Sequence, residues 1–361
     1  MTIDPSSSSD ASHSPAGRNG ALAVAVVGLG ARGAAHAAMA GTLPGCELVA
    51  VADVRGTARR ELRGLGHKAP AFSRLDTLLH KITPDAVFVS VPLASRPALV
   101  RAALEAGCAV FSERPLAPTA EATAELVALA ASTNAPLAVS CPLLFEPVFD
   151  AARRALRLGA IGRIADARAS MNASRVFGAR DAARMARLGR GGVLAQMSAE
   201  LLSLLLVMFG VPSTVSATAS RLYGDVEDEM HAMMALADGT EVGFDSSWSA
   251  PGHPRPATVI ELAGEGGRLL VSDDALELDL TAVRGGYPAG HTRRRATEMD
   301  EPARFDLGGE ARWLEDAAFA RWAQGSEAPL NTGAQALLTQ RVIEALYASV
   351  ENQGAPAEVR A

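Results

Sequence analysis

The hydrophobic pattern divides the chain near residue 141. Before it, short apolar runs alternate with helix-prone segments. The runs are VAVVG (Val24–Gly28), LVAVA ending at Asp53, DAVFVSVP (Asp85–Pro92), CAVFSE (Cys108–Glu113) and PLAVSC (Pro136–Cys141). Apolar runs of strand length without polar alternation are typical of strands covered on both faces. The segments between them read as helices over Gly56–Leu65, Leu75–Ile82 and Arg96–Gly107, the last stopped by Gly107 at C′. Thr119 is placed to cap a further helix running to Ser132, with Glu121 in its first turn. This alternation predicts a doubly wound parallel sheet with crossover helices.

Beyond residue 141 the pattern changes. Glu146–Gly159 is amphipathic, Arg163–Met171 opens a second strand region, and Gly191–Gly210 reads as one long helix between glycines. From Val215 onward strand-like runs dominate, with a hairpin turn at Asp238-Gly239. Two helices close the chain, near Glu310–Gln324 and Gly333–Asn352. The expected fold is thus α/β: an N-terminal Rossmann domain over 21–141 and a C-terminal α+β domain over 142–361 with a large, mostly antiparallel open sheet. Residues 1–20 are polar and Ser-rich without an apolar h-region, so they read as a disordered tail and not as a secretory signal. The longest strongly apolar run, Leu201–Phe209, is too short to span a bilayer. A cytoplasmic protein without membrane contact is expected.

The first strand–helix–strand unit carries the clearest chemistry. Its glycines are spaced Gly28-x-Gly30-x-x-Gly33, and its second strand ends on Asp53. Gly28 permits a tight turn, Gly30 lets backbone N–H groups approach a pyrophosphate, and Gly33 lets helix and strand pack closely. The helix start at Ala31 and Arg32 faces the anion. Asp53 suits the ribose hydroxyls of NAD, whereas Arg55, Arg59 and Arg60 nearby leave NADP open.

Composition narrows the class. Net charge is −6 and no sustained basic stretch occurs, which argues against nucleic acid as a partner. The run Arg293–Arg295 reads as a solvated loop. Lys68 and Lys81 are the only lysines beside a large excess of arginine. Cys46, Cys108 and Cys141 lack CxxC spacing and read as reduced apolar fillers. The histidines form no HExxH pattern, so no metal site is predicted.

In order and spacing, these marks resemble the Gfo/Idh/MocA family, the relatives of glucose–fructose oxidoreductase and inositol dehydrogenase. They include VVGLGARGAAH, DAVFVSVP, ALEAG, SERPLA, GAIGRI at Gly159–Ile164, VEDEMHAMMALADGTEVGFDSSW and VIEALYASVENQG. The resemblance implies that Pro92 and Glu113 line the nicotinamide end. It also implies that the second domain, 142–361, carries substrate binding and oligomerisation, with a homodimer or homotetramer paired through the open sheet face. Such enzymes commonly use a Glu-Lys-Pro lysine together with an aspartate and a histidine four residues apart on the glycine-bounded helix. Here those positions are Arg114, Gln196 and Glu200. Ser203 replaces a further acidic residue, Arg96 a histidine, and Leu144 an arginine.

Arg114 keeps the positive charge but delivers no proton. Gln196 orients but is no base. Glu200 transfers a proton if a dry pocket raises its pKa, whereas a nearby Arg114 draws it into an ionised pair. His36 reads as a packing or capping residue. The loop Ala173–Arg190 carries Arg175, Arg180, Arg184, Arg187 and Arg190, read as a solvated arginine face, with an anionic substrate as the alternative. The favoured function is an NAD(P)-dependent oxidoreductase on a small hydroxyl- or carbonyl-bearing substrate. The alternatives are a redox-neutral lyase or cyclase that keeps the pocket, and a non-catalytic relative.

Overall fold

The computed structural model describes residues 20–64, 66, 68–176, 191–299 and 310–360. The expected tail lies outside them except for Gly20. The first half forms β1 (Leu22–Val27), α1 (Ala31–Ala40), β2 (Cys46–Ala52), α2 (Gly56–Gly64), β3 (Ala71–Phe72), α3 (Leu75–Lys81), β4 (Ala86–Val89), α4 (Arg96–Glu105), β5 (Ala109–Ser112), α5 (Ala120–Ser132) and β6 (Leu137–Val139). The six strands are parallel, in the order β3-β2-β1-β4-β5-β6. The strand order reverses between β1 and β4, so a crevice opens at their carboxyl ends. β3 is too short for its hydrophobic pattern to mark it; only its pairing with Val51 and Ala52 does. The helix ends follow local chemistry: Gly107, with φ +78°, follows the end of α4, and Thr119 caps the start of α5, its Oγ1 accepting from the Ala122 N–H at 3.2 Å.

The second half begins with α6 (Pro147–Arg157) and β7 (Ile164–Asn172). A π-helical turn at Leu194–Ser198 then leads into α7 (Ala199–Phe209). β8 (Thr214–Ser220), β9 (Glu229–Ala235), β10 (Glu241–Ser247), β11 (Ala257–Gly264), β12 (Gly267–Ser272), β13 (Ala275–Leu280) and β14 (Gly290–Arg295) follow. α8 (Glu310–Ala323), α9 (Gly333–Glu351) and β15 (Ala357–Glu358) complete the chain. The nine strands order as β14-β13-β12-β11-β7-β10-β9-β8-β15. All neighbours are antiparallel except β7 and β10. The predicted hairpin joins β9 to β10, with Gly239 at φ +87°. One face of the sheet packs on α6, α7 and α9.

Three expectations change. The helix between Gly191 and Gly210 is not one regular α-helix. Its start is clamped by the Glu227 carboxylate, which accepts from the Gly192 N–H at 2.9 Å and the Leu194 N–H at 3.4 Å. The Ser198 hydroxyl donates back to the Val193 carbonyl at 3.4 Å, so the first turn widens. Arg293–Arg295 form not a loop but the exposed edge strand β14, where cationic side chains discourage further strand pairing.

The third change concerns α8, which packs on the first sheet although its sequence follows the second. Phe319 is fully buried, its ring 5.3 Å from Phe88 of β4 and 5.5 Å from Phe111 of β5. Division at residue 141 thus separates the sheets but not the packing. Phe319→Ala is predicted to cost about 3–5 kcal/mol in denaturant unfolding; a loss under about 1 kcal/mol would show that α8 does not complete this core.

Candidate active site

The cradle follows from its glycines. A side chain at Gly28 would strike the Ser90 carbonyl, and one at Gly33 the Gly28 carbonyl. At Gly30 a Cβ would meet nothing within 4 Å, so the space above the turn is open. α1 starts there with the unsatisfied N–H groups of its first turn, which suits a pyrophosphate. Asp53 is nearly buried at the end of β2. Its Oδ2 accepts from the Leu29 N–H at 2.6 Å, and its Oδ1 from the Arg55 N–H at 2.7 Å. Burial alone would raise its pKa, but Arg55 and the Leu29 N–H hold it below the usual carboxylate value. The Arg59 guanidinium donates to the Asp53 carbonyl.

Below the cradle runs a chain of alternating charge. Arg32 of α1 meets Glu113 at 2.9 Å, Glu113 lies 3.4 Å from His36 Nε2, and His36 Nδ1 lies 2.8 Å from Asp316 of α8. His36 is therefore no passive filler. Burial opposes its charged form, yet Asp316 and Glu113 push its pKa up to about 10. Burial would raise Glu113, but His36 and Arg32 bring it down to about 2. Asp316, wholly buried, is raised by that burial against the pull of His36, so the His36–Asp316 unit retains a proton at neutral pH.

The three candidate catalytic residues converge. Arg114 follows β5, and its guanidinium forms an ion pair with Glu200 on the first turn of α7. It also donates to the Gln196 backbone carbonyl at 3.3 Å. Burial would lower the Arg114 pKa, but Glu200 keeps it above the ordinary arginine value. The ionised-pair arrangement is the one the structure adopts. Behind Arg114, burial and Glu200 push the Cys141 thiol up, so it is no thiolate nucleophile. Arg96 does not reach for a reacting group. It donates to the Val91 carbonyl at 2.8 Å and to the Pro115 carbonyl, tying the ends of β4 and β5 together. Burial lowers its pKa to about 10.

Arg96, Arg114, Gln196 and Glu200 line a cleft of about 600 Å³ between the two sheets, whereas Asp53, His36 and Cys141 lie outside its lining. Gly30, Ala31, Arg32 and Glu113 line one side, and Arg114, Gln196 and Glu200 the floor. Gly28 and Gly33 shape the turn from behind. Pro92 is exposed and outside the lining, which Ser90 and Val91 supply instead. Arg175, expected on a solvated face, is half-buried in the lining; Arg180, Arg184, Arg187 and Arg190 lie outside the described residues. Trp248, the last residue of the mark VEDEMHAMMALADGTEVGFDSSW, also lines it, as do Pro256 and Arg312, which no motif singled out. Among the described residues no three His, Cys, Asp or Glu groups gather as metal ligands, and no helix is long and apolar enough to cross a membrane.

Parallel sheet, glycine cradle and facing antiparallel sheet define a two-domain protein of the Rossmann oxidoreductase class. More particularly, the chain belongs to the Gfo/Idh/MocA family. Residues 22–141 match the model of an oxidoreductase family with an NAD-binding Rossmann fold, and residues 149–270 match the GFO/IDH/MocA C-terminal domain. D-xylose 1-dehydrogenase (NADP(+)) 2 of Haloferax volcanii is 24% identical over 291 residues, 79% of this chain and 84% of that protein. Inositol 2-dehydrogenase of Corynebacterium glutamicum is 28% identical over 145 residues, 40% of this chain and 43% of that protein, so the chain matches under half of its length. A levoglucosan dehydrogenase, solved with NADH and levoglucosan, shares the fold: TM-score 0.81, 19% identity, 94% of this chain and 100% of that one.

The buried charges set a pH dependence. The His36 value lies above its unfolded 6.5, so its stabilisation is full below that and is lost as pH rises through about 10. Glu315, beside Asp316, is raised by burial to about 8 from 4.5, so its contribution is full below about 4.5 and is lost as pH rises through about 8. Glu113 acts oppositely: its contribution is present above about 4.5 and vanishes as pH falls through about 2. The unfolding midpoint is expected to fall between pH 7 and 10, and to fall less in His36→Gln. An equal fall in both would remove His36 as the source.

Proposed function

We propose that the chain is an NAD-dependent dehydrogenase that oxidises a hydroxyl of a small sugar-like or polyol substrate, with Arg114 and Glu200 in the places of the usual lysine and histidine. The observation that carries this reading is the Arg114–Glu200 pair on the cleft floor, facing the open cradle at Gly30. Gly30, Ala31 and Arg32 would hold the pyrophosphate. Asp53, kept ionised at the end of β2, would accept from ribose hydroxyls. A 2′-phosphate would meet that carboxylate, and Arg55 is already engaged with it, which favours NAD over NADP.

Bound NAD supplies a hydride acceptor. The protein's share is to take the hydroxyl proton and stabilise charge on the oxygen. Glu200 is the proton acceptor. Arg114 is the fixed cation for the oxygen, since a guanidinium stays protonated throughout. Gln196 offers its side-chain amide to a neighbouring hydroxyl, while its backbone carbonyl steadies Arg114. A redox-neutral enzyme would use the same base without changing nicotinamide absorbance, so a polyol panel followed at that absorbance separates the two.

Glu200→Gln is expected to lower kcat roughly 10²- to 10⁴-fold while the Kd for NADH, read by fluorescence, changes by less than about threefold. Retained kcat would remove Glu200 from proton transfer.

A further inference from the structure

Two arginines stand at the cleft edge, each one turn above the same buried contact. On α1, Arg32 precedes His36 by four residues; on α8, Arg312 precedes Asp316 by four. Residues four apart share a helix face. His36 and Asp316 join the two helices at 2.8 Å, and α8 packs on α1. Arg32 and Arg312 both line the cleft, beside Gly30 and Ala31. The first turns of both helices therefore open on the same space.

Both positions run against local preference. A helix start is the positive end of the backbone dipole, and a cation in the first turn opposes it. α1 carries Arg32 there and no acidic residue, and α8 carries Arg312 there. Departures of this kind concentrate at functional sites, and an anion between the two turns would relieve both. The placement of Arg312 points the same way. Asp316 is wholly buried and gives Oδ2 to His36, while its Oδ1 has no hydrogen-bond partner among the described residues. Arg312 attracts that carboxylate from one turn away, yet it makes no hydrogen bond to Oδ1 and lines the cleft instead. A guanidinium carries five N–H donors, so attraction to Asp316 leaves it able to hold a phosphate oxygen.

We propose that Arg312 binds the pyrophosphate of the dinucleotide opposite Arg32, so that α8, from the second half of the chain, holds the cofactor against the cradle of the first. This rests on the pyrophosphate lying at Gly30, Ala31 and Arg32, but not on the reaction at Arg114 and Glu200.

Binding to the full chain tests it without turnover. The Kd for NADH is read by fluorescence, and that for ADP-ribose, which keeps the pyrophosphate but lacks the nicotinamide, by displacement of NADH. In Arg312→Gln both are expected to rise about 10- to 100-fold, and to rise together. The salt dependence of NADH affinity is expected to flatten in the same variant. In Arg312→Lys, which keeps the charge but not the planar fork, the rise is expected to stay under about tenfold. If Arg312→Gln unfolds more readily than the parent, the rise in unfolding midpoint at one fixed NADH concentration is compared instead, and is expected to be smaller in the variant. A change in the NADH Kd of less than about threefold in Arg312→Gln, or an equal midpoint rise, overturns the proposal. So does weakened NADH with ADP-ribose unaffected or unbound, which would put Arg312 at the nicotinamide end. Failure of the parent chain to bind NADH removes the cradle reading and the proposal with it. If the variants behave as expected but no polyol reduces NAD, the Arg312 contact stands and the dehydrogenase reading is the one that fails.

Discussion

A guanidinium taken out of water must be matched by an anion, and Arg114 meets Glu200 to satisfy that demand. Much of the site is arranged around this pair. The end of β5 delivers Arg114, the widened turn ahead of α7 delivers Gln196 and Glu200, and Glu227 clamps that turn in place. Tyr347 of α9 in turn donates to Glu227 at 2.7 Å, so the last long helix supports the cleft floor from behind. An arginine suits this role better than a lysine would, because its charge cannot be lost by desolvation in the working pH range.

The same logic operates below the cradle. Arg32, Glu113, His36 and Asp316 alternate in sign from the cleft edge to the interior. They join α1, the end of β5 and α8, which are far apart in the chain. Glu315, next to Asp316, accepts from the Asn331 side-chain amide at 2.9 Å and from the Cys141 N–H. α8 is thus tied to the first sheet by aromatic packing and by buried polar contacts together. That combination fixes the relation of cradle to floor, on which a hydride transfer would depend.

How much of this was legible in the sequence follows from the range of the forces involved. Five of the six parallel strands were readable because uninterrupted runs such as Ala86–Val89 carry their burial locally, whereas the two-residue β3 was not. The cradle was readable because its glycine spacing is local, with Gly33 packed against the Gly28 carbonyl one turn away, although Gly28 itself is crowded by Ser90 from the end of β4. Arg114, Gln196 and Glu200 were named from position, and the structure does gather them. Their pairing was one of two arrangements that the sequence left open. Asp316 was not legible, since nothing near it signals a partner 280 positions earlier. The widened turn was hidden for a similar reason: it depends on Glu227, a residue outside the helix. Arg175 looked like one solvated arginine among five until β7 and β10 set it in the cleft wall.

The central claim is that Arg114 and Glu200 act as one unit in transferring a proton and stabilising the oxygen. A double-mutant cycle on kcat/KM for NAD reduction, with Arg114→Gln, Glu200→Gln and the double variant, addresses it most directly. The account predicts strong non-additivity, with the double variant no slower than the worse single variant within about threefold. Two independent losses that multiply in the double variant would contradict it.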